Sequence, residues 1–352
     1  VIRVDYGYMN ARIRGMKGRL LNRDALERLI NKPDVEGVMV ELQRTSYREE
    51  IEKASVRFSG MSCIETAVRN DFTSAFRKIL GHVHGEDAEK YIRILLNRWD
   101  VQNIKTILRG KNIHAPAPEI MDCLVPAGEL DEVTLAELVK QPDVKSVIDL
   151  LATWRIPYAQ PLTRSFKEYF ERQDLPVLEY ALDRFSFDHA LEMVKGDAYD
   201  NQILRLMIMA EIDVTNLKTV LKLIRDRAPA DEAGQYLLKG GISLDLAKLQ
   251  SLVRTGSIEA AVKQLKGTPY EFLGKVPAEV FIQEKISVIE KELDKYLIKK
   301  GVSQFFKDPL SIALAVGYLW AKYNEVTNIR IIARCKTADI SEKELREELL
   351  YV

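Results

Sequence analysis

The chain has 352 residues, 47% hydrophobic and 30% charged, and 52 Lys and Arg balance 52 Asp and Glu. That length spans roughly two to three ordinary domains, and the neutral balance excludes a strongly basic nucleic-acid binder. The apolar fraction excludes wholesale disorder, and 18 Gly with 12 Pro are too few for a turn-dense all-β chain.

The opening stretch, Val1 to Gly18, alternates charge with apolar residues and has no uninterrupted apolar core, so it does not read as a secretory signal. Arg12, Arg14, Lys17 and Arg19 form one basic side of a first helix. This reads as a solvated face, with an acidic partner or lipid headgroups as the alternative. Ile64, Val68, Phe72, Phe76, Ile79 and Leu80 recur at helical spacing, and Tyr91 to Leu108 carries a comparable stripe. Between these two helices His82-Val83-His84, with Glu86 and Asp87, is the one cluster resembling a metal site. No third ligand stands at helical spacing, and the Gly81–Gly85 stretch reads as a solvated loop. His114 and His189 are isolated from any Ser or Cys nucleophile motif. Pro116, Pro118 and Pro229 follow predicted helices, where proline marks an end.

Gly267 to Val276 comes nearest to a phosphate-binding loop, but its spacing is too long, Pro269 removes an amide and Val276 cannot hold magnesium. Ile282, Ile286, Ile289, Leu293 and Leu297 line one side of another helix whose outer face is Glu and Lys. Ser311 to Ala321 is the best membrane candidate and is about half the roughly 20 residues a spanning helix needs. Cys63, Cys123 and Cys335 lack any C-x-x-C spacing, which argues against a disulfide scaffold and fits a reducing compartment. No stretch alternates with period two for long enough to be a strand. The expectation is a soluble all-α protein with no catalytic residue, cofactor or metal.

A short motif, acid-Val-x-Asn-Ile/Leu-Lys/Arg, occurs at Asp100–Lys105, Asp213–Lys218 and Glu325–Arg330, with Asn103, Asn216 and Asn328 spaced 113 and 112 residues apart. Other features keep that period. Glu65, Glu179 and Glu290 precede the three asparagines by 38, 37 and 38 residues, and Tyr47, Tyr158 and Tyr270 stand ahead of those glutamates. His114-Ala-Pro116 recurs as Arg227-Ala-Pro229, Gly128 recurs as Gly241, and Pro33-Asp34-Val35 recurs as Pro142-Asp143-Val144. The chain reads as a triplication with helical subdomains over 1–117, 118–230 and 231–352. Asn is a mediocre helix former, so its return at one point in each unit predicts a fold-specifying hydrogen bond to a neighbouring helix. An alanine at Asn216 is accordingly expected to lower the melting temperature.

The opening Asp5-Tyr6-Gly7-Tyr8-Met9-Asn10-Ala11-Arg12-Ile13-Arg14 resembles the start of the C subunits of A-type (archaeal-type) rotary ATPases, relatives of the d subunits of vacuolar-type enzymes. Leu237-Leu238-Lys239-Gly240-Gly241 and the segment Asn328 to Lys336 carry the same likeness, and Asn10-Ala11-Arg12 looks like a further copy of the asparagine motif. The likeness extends over essentially the whole chain. Its one departure is the start at Val1, before which a residue or more is expected.

The resemblance implies a pseudo-threefold funnel or socket acting as a non-catalytic rotor component of the central stalk. One face would rest on the membrane ring of proteolipid subunits and the other would receive the shaft, built of D- and F-type subunits. The protein would transmit torque for ATP synthesis or for proton or sodium pumping, as one copy per complex on the cytoplasmic face of the membrane. It would be monomeric when isolated, with no nucleotide or nucleic acid bound. Interface residues expected from this reading are Arg12, Arg14, Lys239, Gly240 and Gly241. The rival readings are a helical-repeat adaptor and an all-α enzyme with a site between subdomains. An adaptor's repeats are normally shorter and more numerous than three of about 112 residues.

Overall fold

Helix starts in this protein are written in short polar side chains that accept a hydrogen bond from an otherwise orphaned amide of the first turn. Asn22, Asp34, Asp131, Asp143, Asp245 and Ser257 each cap a helix in this way. The recurring Pro33-Asp34 and Pro142-Asp143 pairs are therefore helix starts, opening Val35–Leu42 and Val144–Thr153. Ser341 and Glu344 form a reciprocal capping box before Glu342–Glu348. His114 and Arg227, from the recurring Ala-Pro segments, adopt left-handed conformations (φ 56° and 53°) just past the ends of Glu86–Asn112 and Tyr199–Arg225.

The computed structural model describes residues 6–83 and 86–352, with the Glu86 side chain also left aside. Asp5, His84 and Gly85, singled out in the sequence, lie outside the described residues. Those residues form an all-helical fold without a strand. The chain divides into two compact units, residues 1–186 with 302–351, and residues 187–301.

In the larger unit the long helices are Gly60–Gly81, Glu86–Asn112 and Ala313–Thr337. One core gathers Ile104, Leu108, Leu135, Val147, Leu162 and Leu182, all essentially without solvent exposure. Phe72, Phe76, Trp99 and Tyr318 interlock elsewhere, and the Arg98 guanidinium lies over the Trp99 and Trp320 rings. Every residue from Ser311 to Trp320 is buried. The apolar run measured against a membrane is thus a core helix, apolar on all sides because it is surrounded. No helix among the described residues is long and apolar enough to cross a membrane.

The smaller unit is organised by Tyr199–Arg225, whose Leu217, Val220 and Leu221 pack against Leu252, Val262 and Leu265. Full burial of each such side chain contributes about 1.5–3 kcal/mol, so this helix is held by packing far more than by its intrinsic propensity.

Candidate functional site

The three motif acids are buried, and each faces a tyrosine. Asp213 accepts a hydrogen bond from the Tyr270 hydroxyl at 3.1 Å, and Glu325 accepts one from Tyr47 at 2.5 Å. Tyr158 stands close enough to Asp100 to be influenced by its charge, which adds to burial in raising the phenol's pKa. In sequence terms Asp100 and Asp213 each face a tyrosine further along the chain, whereas Glu325 reaches back to Tyr47 near its start.

Each acid also receives main-chain amides. Glu129 and Leu130 donate to Asp100 at 2.8 and 3.0 Å, and Ser243 donates to Asp213 at 2.9 Å. The turns that present these amides demand glycine. A Cβ at Gly128 would stand 2.2 Å from an Asp100 oxygen, and one at Gly241 would stand 1.9 Å from an Asp213 oxygen. The third acid takes its amide from a distant part of the sequence, for it is Leu21 that donates to Glu325. Leu21 directly precedes the helix cap Asn22, just as Leu130 and Leu244 precede the caps Asp131 and Asp245. Residues near the start of the chain therefore supply the turn for the last motif.

The asparagines make a two-point contact. Asn103 holds the main-chain N–H and C=O of Val125 at 2.8 and 2.7 Å, and Asn216 holds those of Leu238 at 2.8 and 2.9 Å. Asn328 holds those of Leu350 at 2.8 and 3.2 Å. The partner is always 22 residues downstream and belongs to a non-helical segment, where the sequence pointed to a neighbouring helix. A side-chain amide serves both groups of one extended residue at once, which an adjacent helix, its own amides already bonded, cannot offer. Asn10 differs from these three, its Nδ2 donating to the carbonyls of Pro309 and Ser311.

Two and six residues beyond each asparagine stand cations that reach the glutamate helices. Arg109 forks onto Glu179 at 2.6 and 2.7 Å, and Lys105 meets Asp183 at 2.5 Å. Lys218 meets Asp294 at 2.6 Å and Lys222 meets Glu290 at 3.3 Å. Arg330 and Arg334 both turn to Glu65, at 3.4 and 2.7 Å, because Arg69 occupies the place that Asp183 and Asp294 hold in the other pairs.

Burial pushes the Asp100 carboxyl up to about 6 against its two amide hydrogen bonds, and Asp213 is raised for the same reason. An acid whose folded pKa lies above its unfolded value costs stability when ionised. For Asp100 that cost, about 3 kcal/mol, is complete above pH 6 and disappears as pH falls toward the unfolded value. Acidification from pH 7 to about pH 4.5 is expected to stabilise the native protein by roughly 2 kcal/mol relative to Asp100→Asn. Denaturant titrations at both pH values measure this difference, and parallel changes in the two proteins would contradict it.

The third junction is built differently. Lys322 is buried and donates to Glu325 at 2.6 Å and the Tyr47 hydroxyl at 2.9 Å, and it pairs with Asp71 at 2.5 Å. Burial opposes the ammonium, but Tyr47, Glu325 and Asp71 outweigh it and hold its proton well above the usual range. Three residues before the other motif acids stand Asn97 and Ala210. Six after the other repeated glutamates stand Phe185 and Tyr296, where the third junction has Asp71. The Tyr158 and Phe185 rings meet edge to face at 6.1 Å, and Tyr270 meets Tyr296 at 5.3 Å. Beside Tyr47 a lysine–aspartate pair stands where the other two junctions have this aromatic contact. A cleft of about 410 Å³ opens beside it, lined by Asp71, Lys322, Arg19, Glu49 and Glu50.

Arg12 and Arg14 are exposed on Gly7–Lys17, outside any ion pair among the described residues. Lys239 is exposed at a turn in the smaller unit. Gly240 has φ 95° and Gly241 seats Asp213, so both glycines have a conformational reason to be there. His82 ends the helix Gly60–Gly81 with its ring edge-on to Tyr8. Among the described residues no three His, Cys, Asp or Glu side chains are grouped to hold a metal ion.

The sequence matches the model of the ATP synthase (C/AC39) subunit family over residues 9–348. It is 29% identical to the C subunit of the A-type ATP synthase of Methanococcoides burtonii over 349 residues, covering 98% of this chain and 94% of that protein. The proteins of the same name from Methanocaldococcus jannaschii and Halobacterium salinarum are 27% and 28% identical. They align with 98% and 99% of this chain, and with 86% and 98% of their own lengths.

Proposed function

This chain belongs to the ATP synthase (C/AC39) subunit family, and we propose on that premise that it is a non-catalytic central-stalk rotor subunit of an A-type ATP synthase. The observation that carries the proposal is similarity along nearly the whole length, both of this chain and of relatives named as the C subunit of A-type ATP synthases. In this role the protein couples the membrane proteolipid ring to the central shaft of D- and F-type subunits. It transmits torque between ion flow, of protons or sodium, and ATP synthesis or hydrolysis elsewhere in the assembly. It sits peripherally on the cytoplasmic face, as one copy per complex. The absence of a membrane-crossing helix among the described residues accords with peripheral attachment.

Within the protein we propose a three-unit plan over 1–117, 118–230 and 231–352. The equal 22-residue reach of Asn103, Asn216 and Asn328, and the handing of each acid to the next tyrosine, support it. A rotor coupler under torque needs subdomains that do not shear. Buried polar contacts with one satisfied geometry resist sliding better than apolar packing, which tolerates many registers. Of the interface side chains expected from the sequence, Lys239 is the one to test first against the shaft and ring subunits. Substituting Gly240 or Gly241 would confound that test, since a side chain at either meets Leu191 or Asp213.

Co-purification decides the matter. The tagged chain, drawn from gently solubilised source membranes, is expected to bring down the proteolipid ring and the shaft subunits in about one copy per complex. A free monomer in the soluble fraction, with neither partner, would overturn the assignment.

A further inference from the structure

From the helix Gly7–Lys17 and the turn at 303–311 we infer an attachment surface for anionic phospholipid headgroups. The helix holds no acid, and Arg12, Arg14 and Lys17 are exposed on it, Arg12 and Arg14 on opposite flanks of the side turned away from the buried Met9, Asn10 and Ile13. Asn10 ties it to the turn by its two hydrogen bonds to Pro309 and Ser311, and the Lys17 ammonium lies 3.9 Å from the Phe305 ring centroid. On that turn Phe306 is 85% exposed, the most exposed large hydrophobic side chain among the described residues. Leu310 is 54% exposed, and Lys307 between them is exposed too. The one acid of the turn, Asp308, is half-buried and accepts from the Leu310 amide.

The whole chain is neutral, so long-range attraction to an anionic surface must come from a local concentration of cations, and this surface has one. Its apolar groups are single protruding side chains set among those cations. A protein partner would need a matching socket for each of them, whereas a fluid headgroup region accepts an isolated Phe and Leu while arginines and lysines remain at phosphate level. The geometry favours lipid over an acidic protein segment. This inference goes beyond the family-based assignment and does not depend on it, because the isolated chain is expected to bind vesicles with no other subunit present.

The test is flotation of the full chain with vesicles of phosphatidylcholine alone or mixed with phosphatidylglycerol. Binding is expected only to the anionic vesicles and is expected to weaken with salt. At about fivefold per cation, Arg12→Ala with Arg14→Ala is expected to weaken partition about 25-fold. Phe306→Ser is expected to weaken it as well while leaving the salt dependence intact. All three side chains are exposed, so thermal melts should confirm unchanged folding. A charge-matched control, Lys167→Ala with Lys263→Ala, removes two exposed lysines elsewhere and is expected to bind like the native chain. Equal binding to both vesicle types, or an arginine variant indistinguishable from the control, would overturn the inference. So would binding of polyglutamate through Arg12 and Arg14 by a chain that ignores vesicles, which would assign the surface to an acidic protein partner.

Discussion

Lys322→Met is expected to destabilise the larger unit by about 3–5 kcal/mol at neutral pH, the usual consequence of removing one partner from a buried ionic cluster. Lys322 is 4% exposed and Glu325 5%, and the lysine is the cation shared by Glu325 and Asp71. Without it two carboxylates face each other around the Tyr47 hydroxyl, and the cheapest response is for one to take up a proton. The variant is therefore expected to recover part of its loss on acidification. The sequence offers a second and sharper comparison. The corresponding places at the second junction hold Ala210 and Tyr296, an apolar and aromatic pair without charge. Lys322→Ala combined with Asp71→Tyr imports that pair and removes the carboxylate left unpaired by Lys322→Ala. It is therefore expected to be more stable than Lys322→Ala alone by about 2 kcal/mol, which requires the two substitutions to be strongly non-additive, as residues sharing one network are. Urea unfolding of the two single variants and the double variant measures it. A double variant no better than the worse single one would mean that the third junction is not interchangeable with the second.

That exchange also marks how far the sequence can be read. The asparagines, glutamates and tyrosines are visible because each is one residue type returning at one period, and the all-helical architecture follows from apolar stripes at helical spacing. Their partners are not visible. Val125, Leu238 and Leu350 offer main-chain groups to the asparagines, and Leu21 offers one to Glu325, and a main-chain amide has no sequence signature. The pairs Lys105–Asp183 and Lys218–Asp294 join residues 78 and 76 apart on different helices, beyond any local rule. Asp71 and Lys322 are legible in principle. Counting six residues on from each repeated glutamate and three back from each motif acid exposes the odd pair. The cations near the start of the chain are visible in the sequence, but they do not make one side of a helix: Arg12 and Arg14 stand about 200° apart around Gly7–Lys17, and Arg19 lies beyond its end. Phe306 is not visible, since exposure of one phenylalanine on a turn is a property of the fold.

Gly241→Ala is expected to cost more than about 3 kcal/mol, far above the few tenths of a kcal/mol typical of an exposed substitution. The added methyl would stand 1.9 Å from an Asp213 oxygen and 3.0 Å from the Leu244 carbonyl oxygen, so it cannot be accommodated by rotating a flexible side-chain end. Either the carboxylate leaves its place, releasing the Ser243 amide and the Tyr270 hydroxyl, or the turn itself shifts. The two outcomes are separated by a second substitution. Asp213→Ala alone leaves those donors unsatisfied and opens a small cavity, and is itself destabilising. In the double variant the methyl added at position 241 meets no carboxylate and partly fills the vacated space. If displacement of Asp213 is the source of the cost, the double variant will be less destabilised than the sum of the singles by about 1–3 kcal/mol. Strict additivity would place the strain in the turn, against the Leu244 carbonyl. Gly128→Ala provides an independent repetition in the larger unit, where the obstructing oxygen belongs to Asp100 at 2.2 Å. Matching couplings at the two glycines would mean that one device, a buried acid seated on a glycine turn, was used twice. The third acid, whose turn is supplied by Leu21 with no glycine beside it, should then show no comparable sensitivity at Gly18, where a Cβ has nothing closer than 3.6 Å.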